Sequence, residues 1–101
     1  MTLSVQKLER IMGVTADHAT EGIAKLTPRE TEVANMLADG MPSKDIAKDL
    51  GISPKTIDIH RGKVKMKLGA RSTTDLIRCI LLKRLVDAID GEAKRRARSN
   101  G

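Results

Sequence analysis

A chain of 101 residues has room for one domain with a modest core, which excludes a large catalytic cleft. It contains no Phe, Trp or Tyr, so it lacks the aromatic platforms on which single-strand binders stack bases. The net charge of +6 is unevenly placed, with four Lys/Arg against six Asp/Glu in residues 1–40 and fifteen against seven in residues 41–101, so the second part suits a polyanion such as duplex phosphate or forms a solvated basic surface.

Near the N-terminus, Val5, Leu8 and Met12, with Ile11 beside them, suit a short amphipathic helix ended by Gly13. The stretch from Thr15 to Lys25 has weaker periodicity and reads as a helical turn or a linker. Thr27-Pro28-Arg29-Glu30 then supplies a capping hydroxyl, a proline at the first helical position and a glutamate three residues after the cap, so a helix starts here. Val33, Met36 and Leu37 form its inward stripe with Ala34 beside them, and Gly40 ends it.

Ser43 is expected to cap the next helix, which runs through Leu50 with Ile46, Ala47 and Leu50 inward and stops at Gly51. After only Gly51 and Ile52, Ser53 caps again and Pro54 opens a helix to Leu68, with Gly69 as its stop. Two helices joined so tightly must cross steeply, which favours the small Ala47 and the compact Gly51, while Ile52 plugs the corner. Ser72 with Asp75 repeats the capping signature, and a last helix is expected from about Thr73 to about Ile89. Its apolar residues exceed one face: Leu76, Ile77 and Ile80 on one side, Leu81 and Leu85 opposite, and Cys79, Leu82 and Val86 between. One stripe faces this domain's core, and the surplus calls for another subunit or the N-terminal segment, the subunit being the favoured choice. Arg95, Arg96 and Arg98 sit in a polar stretch expected to be a mobile tail.

On the helix from Pro54 to Leu68, Ile57, Val64 and Leu68 are spaced seven and four, which sets the buried side. Lys55, Asp58, Ile59, Gly62, Lys63 and Met66 then lie outward or on the shoulders, with Arg61, Lys65 and Lys67 available to flanking phosphates. A basic outward face on the second helix of a tight pair is what major-groove insertion requires, because the groove admits a helix and exposes base edges to its side chains.

The stretch Leu26 to Ile77, through LTPRE, the turn at Gly40, KDIAKDLGIS, TIDIHR and KLGARS, resembles the C-terminal DNA-binding domain of the bacterial LuxR/FixJ family, in its FixJ-like branch. The resemblance implies an all-α, four-helix helix-turn-helix domain over residues 26–90, here with a short, partly helical N-terminal extension (1–25) and a basic flexible tail (91–101). It implies sequence-specific binding of double-stranded DNA and a homodimer formed through the last helix, with Cys79, Leu82 and Val86 as interface residues. By the family pattern Thr56, Asp58, Ile59, Arg61, Gly62 and Lys63 match positions that meet the groove or its edges, while Ile57 and Val64 match core positions; Ser53, Lys55, His60 and Lys67 complete the expected DNA-binding set. Asp58 either accepts from cytosine N4 or pairs with Arg61 one turn on. Gly62, which costs about 1 kcal/mol in a helix relative to alanine, either admits the duplex backbone closely or reflects tolerance of a small residue. His60 reads as a packing residue that also touches a phosphate.

FixJ-like proteins carry a receiver domain ahead of this module, and the residues before Leu26 are too few for one, so phosphorylation control within the chain is not expected. Met1 and the distinctive N-terminal segment favour a stand-alone regulator over an excised fragment, controlled by abundance, by a partner, or by dimerisation with the N-terminal segment shielding the last helix.

The rival reading is a helix-turn-helix interaction module that binds a regulatory protein or an RNA polymerase subunit. No nucleophile, base and orienting group recur at helical spacing and no phosphate-cradling glycine loop is present, so no enzymatic activity and no cofactor are expected. The single Cys79 and the absence of Cys/His clusters point to no disulfide and no structural metal, and a reducing cytoplasm fits that composition. His18 has no evident metal or catalytic partner, and the five Met residues read as core filler. No segment approaches membrane-spanning length.

Overall fold

Capping side chains punctuate the chain into six helices in the computed structural model, which describes residues 4–99, with side chains to residue 95. They are α1 (Val5–Met12), α2 (Ala16–Ala24), α3 (Pro28–Ala38), α4 (Ser43–Leu50), α5 (Pro54–Leu68) and α6 (Thr73–Ser99), and no strand occurs among the described residues. The side chains of Arg96 and Arg98 lie outside the described set.

Each start has a local cause. Ser4, Thr15 and Ser53 accept from the backbone N–H groups of Lys7, His18 and Thr56 at 3.1–3.2 Å. Thr27 and Glu30 form the full reciprocal box: Thr27 Oγ1 accepts from Glu30 N–H at 3.1 Å, and Thr27 N–H donates to Glu30 Oε1 at 2.9 Å. At the start of α6, Ser72 Oγ accepts from Asp75 N–H, while the Asp75 carboxylate reaches back to the N–H of Arg71.

Three elements differ from the sequence-based expectation. The segment left as a turn or linker is a formed helix, α2, because its packing depends on small residues: Ala19 and Gly22 are buried. Ser43 is not a cap. Pro42 occupies that position without a side-chain hydrogen bond, Ser43 is the first helical residue, and its hydroxyl accepts from Arg61 instead. α6 continues to Ser99 rather than ending near Ile89, since Gly91 stays out of the left-handed region and the following Glu, Ala, Lys and Arg are good helix formers.

The core gathers Ala19 from α2, Val33, Ala34 and Leu37 from α3, Ile46 and Ala47 from α4, Ile57, Val64 and Leu68 from α5, and Leu76, Cys79 and Ile80 from α6. Each fully buried aliphatic side chain contributes about 1.5–3 kcal/mol relative to exposure. The corner between α4 and α5 is closed by Gly51 at φ 68°, a conformation that suits glycine, and by the Ile52 N–H donating to the Ala47 carbonyl at 3.0 Å. Ile52 packs half-buried against the core and holds that crossing. α5 is thereby pinned along one side by α2, α3, α4 and α6 and left uncovered on the other.

Candidate nucleic-acid interface

The two sides of α5 differ sharply. Ile57 and Val64 are fully buried and Leu68 is 1 % exposed, whereas Ile59 is 51 % and Met66 74 % exposed. Lys55, Asp58, Gly62 and Lys63 are exposed on the same outward half. The ammonium groups of Lys55 and Lys63 have no ion-pair partner among the described residues, so their charge is available to a ligand. A Cβ added at Gly62 would meet nothing within 4 Å, which means that packing inside the protein does not require glycine there.

At the N-terminal end of α5, Ser53 Oγ serves as the cap and also lies 2.9 Å from Thr56 Oγ1, so these two hydroxyls hold each other. Arg61 is half-buried and spans the corner: one nitrogen donates to Ser43 Oγ at 3.2 Å, and another lies 3.1 Å from Asp58 Oδ1. Asp58 therefore takes the ion-paired alternative in this structure. His60 is half-buried, with Nδ1 enclosed and without a hydrogen-bond partner among the described residues.

Lys67, expected to serve the DNA-facing set, is committed to the protein instead. Its ammonium lies 2.6 Å from Oε1 of Glu30, a carboxylate only 3 % exposed. The Lys67 hydrogen bond, followed by that from the Thr27 backbone N–H, holds the Glu30 carboxyl below its ordinary pKa against the opposing effect of burial. Sequence reasoning missed this pair because α3 and α5 meet only in the fold. It also left out Lys44, exposed on α4 next to Ser43 and so adding a cation near the Arg61 corner.

The residues expected at a dimer interface are largely covered by the chain itself. Cys79 is 3 % exposed, Leu82 is fully buried and Val86 is half-buried, and α6 carries contacts from α1, α2, α3 and α5. Of the two sources weighed for covering the surplus apolar surface, the N-terminal segment is present in the single chain, with α1 and α2 both lying against α6. Burial, and secondarily the nearby Asp75 carboxylate, pushes the Cys79 thiol pKa up, so the thiol is not activated as a nucleophile. On the other flank Arg84 ties α6 to the end of α3, donating to Asp39 at 2.7 Å and to the Asn35 carbonyl and side chain at 3.1 Å.

Among the described residues no cluster of His, Cys, Asp and Glu could hold a metal ion, and no helix is long and apolar enough to cross a membrane.

Residues 24–80 match the family described as bacterial regulatory proteins, luxR family. The chain is 43 % identical over 68 residues to the transcriptional regulatory protein FixJ of Azorhizobium caulinodans, covering 67 % of this chain and 32 % of that protein. It is 46 % identical over 59 residues to the transcriptional regulatory protein TdiR of Thauera aromatica, covering 58 % of this chain and 26 % of that protein. To UhpA of Escherichia coli K12 it is 49 % identical over 53 residues, or 52 % of this chain and 27 % of that protein. The crystal structure of full-length FixJ from B. japonicum superposes with a TM-score of 0.62 at 32 % identity, covering 79 % of this chain and 37 % of that one. The chain thus spans about a third or less of the length of these curated relatives.

Proposed function

This chain belongs to the luxR family of bacterial regulatory proteins, and on that footing we propose that it is a sequence-specific double-stranded DNA-binding transcriptional regulator. α5 enters the major groove, and two copies associate through α6 so that two half-sites are read together. The observation that carries this reading is the division of α5, with Ile57, Val64 and Leu68 sealed in the core and Lys55, Ile59, Gly62 and Lys63 uncovered along one outward side. Within the groove Lys63 and Lys55 supply hydrogen-bond donors to bases or phosphates, and Ile59 supplies the kind of apolar contact that a thymine methyl accepts. Arg61 ties α5 to α4 through Ser43 and, by exchanging Asp58 for a phosphate, can also reach the duplex. Lys44 on α4 adds a backbone contact. The protein acts in the cytoplasm, and no catalytic step or cofactor is part of this reading.

One observation favours a second reading. Ile59 and Met66 are exposed apolar side chains on the same side of α5, and such a strip also suits a protein partner such as a regulatory protein or an RNA polymerase subunit. A salt titration on duplex DNA separates the two. Binding through phosphates weakens steeply as salt rises, with a log–log slope of about −0.9 per phosphate neutralised. Binding that is absent, or insensitive to salt, supports the protein partner.

A further inference from the structure

The α1–α2 turn and the α5–α6 turn face each other across a cleft of about 570 Å³, within the range of about 300–1,000 Å³ usual for small-molecule sites. The two turns are fastened at one seam. His18, in the first turn of α2, donates from Nε2 to the Leu68 carbonyl oxygen at the end of α5 at 2.7 Å, and a Cβ added at Gly69 would come within 3.3 Å of its ring. Gly22 lies close to the same residue, where a Cβ would meet Leu68 Cα at 3.0 Å. One wall of the cleft is thus held against the other without filling the space between them.

The lining has an apolar part and a cationic part. Met12, Val14 and Ala70 are half-buried there, while Arg71 and Arg78 bring guanidinium groups and are exposed. The Arg71 side chain has no hydrogen-bond or ion-pair partner among the described residues. Arg78 gives one nitrogen to Asp75 Oδ1 at 3.2 Å, and Asp75 Oδ2 accepts the Arg71 backbone N–H at 3.2 Å. Asp75, the acidic residue of the lining, is therefore engaged at both oxygens, and with His18 neutral the lining holds one more cation than anion. The neighbouring Glu9 carboxylate is taken up by the Ala16 N–H at 2.6 Å.

We propose that this cleft binds a small organic phosphate monoester, its phosphate held between Arg71 and Arg78 and its apolar body laid against Met12, Val14 and Ala70. The proposal does not depend on what α5 reads. A guanidinium presents paired N–H donors in a fixed fork that matches an oxyanion, and a phosphate monoester has three acceptor oxygens and nearly two negative charges to divide between two such forks. The apolar wall is what separates an organic ester from the bare ion. Because both arginines are exposed, binding weakens as salt rises. A bound ester touches both turns, so it stabilises the seating of α2 on the last turn of α5 in proportion to its occupancy.

The test is an amide chemical-shift titration of the full chain with phenyl phosphate, inorganic phosphate and benzyl alcohol, each at constant ionic strength. The expected result is saturable shifts at Gly13, Thr15, Gly69 and Arg71 with phenyl phosphate, at lower concentration than either fragment requires. Arg71→Gln removes a side chain without internal contacts, so it keeps the fold and should weaken phenyl phosphate by about tenfold. Arg29→Gln makes the same change of charge on α3, outside the cleft, and should leave the affinity unaltered. Shifts that never saturate, that gather around Lys55 and Lys63 instead, or that survive unchanged in Arg71→Gln overturn the site. So does inorganic phosphate binding as tightly as phenyl phosphate, since the apolar wall then contributes nothing. A final arm adds duplex DNA to the probe-saturated protein. Phenyl phosphate retained on the duplex-bound protein supports a separate ligand site. Its displacement, with a matching loss of duplex affinity in Arg71→Gln, gives the two arginines to the DNA backbone and overturns the small-ligand site while leaving α5 as the reader. If no duplex binds, the titration still decides the cleft on its own.

Discussion

The ammonium of Lys67 lies 2.6 Å from the carboxylate of Glu30, joining the last turn of α5 to the first turn of α3 across 37 residues of sequence. Glu30 is 3 % exposed and also closes the capping box on Thr27, so one carboxylate fixes a helix start and anchors α5. Glu30→Ala removes both roles. The expected cost is about 2–3 kcal/mol, the sum of a lost cap interaction and a lost charge-assisted hydrogen bond, measured as a drop in the urea midpoint.

The same pair gives the fold a pH dependence of defined sign. The pKa of Glu30 is lower folded than unfolded, so its contribution is fully present above the unfolded glutamate value of about 4.3 and is lost as pH falls through the depressed folded value. Wild-type stability should therefore fall with acidification in that range more steeply than that of Glu30→Gln. Parallel curves of urea midpoint against pH for the two proteins would contradict the assignment.

Lys63 and Arg61 are expected to respond differently to truncation. Lys63 has no partner among the described residues, so Lys63→Ala should leave the helical circular dichroism and the thermal midpoint intact while weakening duplex binding by about 1–3 kcal/mol. Arg61 bonds Ser43 and Asp58, and Arg61→Ala should also lower stability by about 1 kcal/mol. Retained duplex affinity in both variants would remove α5 as the reader.

Gly62 separates folding from binding. A methyl group there enters open space in the free protein, and alanine is favoured over glycine in a helix by about 1 kcal/mol. Gly62→Ala should raise the thermal midpoint and weaken duplex binding if the backbone approaches the duplex closely at this point. A variant that is both more stable and equally tight in binding would show that the position is merely tolerant.

Leu82 and Val86 are expected to part company as well. Leu82 is fully buried in the single chain, so Leu82→Asp should unfold it, whereas the half-buried Val86 tolerates Val86→Asp in the monomer and should lose self-association. Sedimentation of Val86→Asp with an unaltered oligomer would dismiss this face of α6.

Much of the architecture is written in local signals. Thr27 with Pro28 and Glu30, Ser53 with Pro54, Gly51 at the corner, and the spacing of Ile57, Val64 and Leu68 each name a helix start, a stop or a buried side before any tertiary contact exists. What could not be read is what depends on distant partners. α2 packs through Ala19 and Gly22, whose smallness has meaning only against Leu68 on α5. Lys67 looked free because Glu30 lies on another helix, and Ser43 looked like a cap because Arg61, which draws on its hydroxyl, comes later in the chain. The surplus apolar surface of α6 was legible, but an adjoining helix and a second subunit satisfy it by the same physics. In the single chain α1 and α2 both lie against α6.

The most direct measurement is selection of bound duplexes from a random pool by the full chain, run in parallel with Lys63→Ala. If α5 reads DNA, wild type enriches a defined sequence in paired half-sites about one helical turn apart (~10 base pairs), and the variant loses or relaxes that preference. A pool that emerges without sequence enrichment, or an identical enriched site from both proteins, contradicts it.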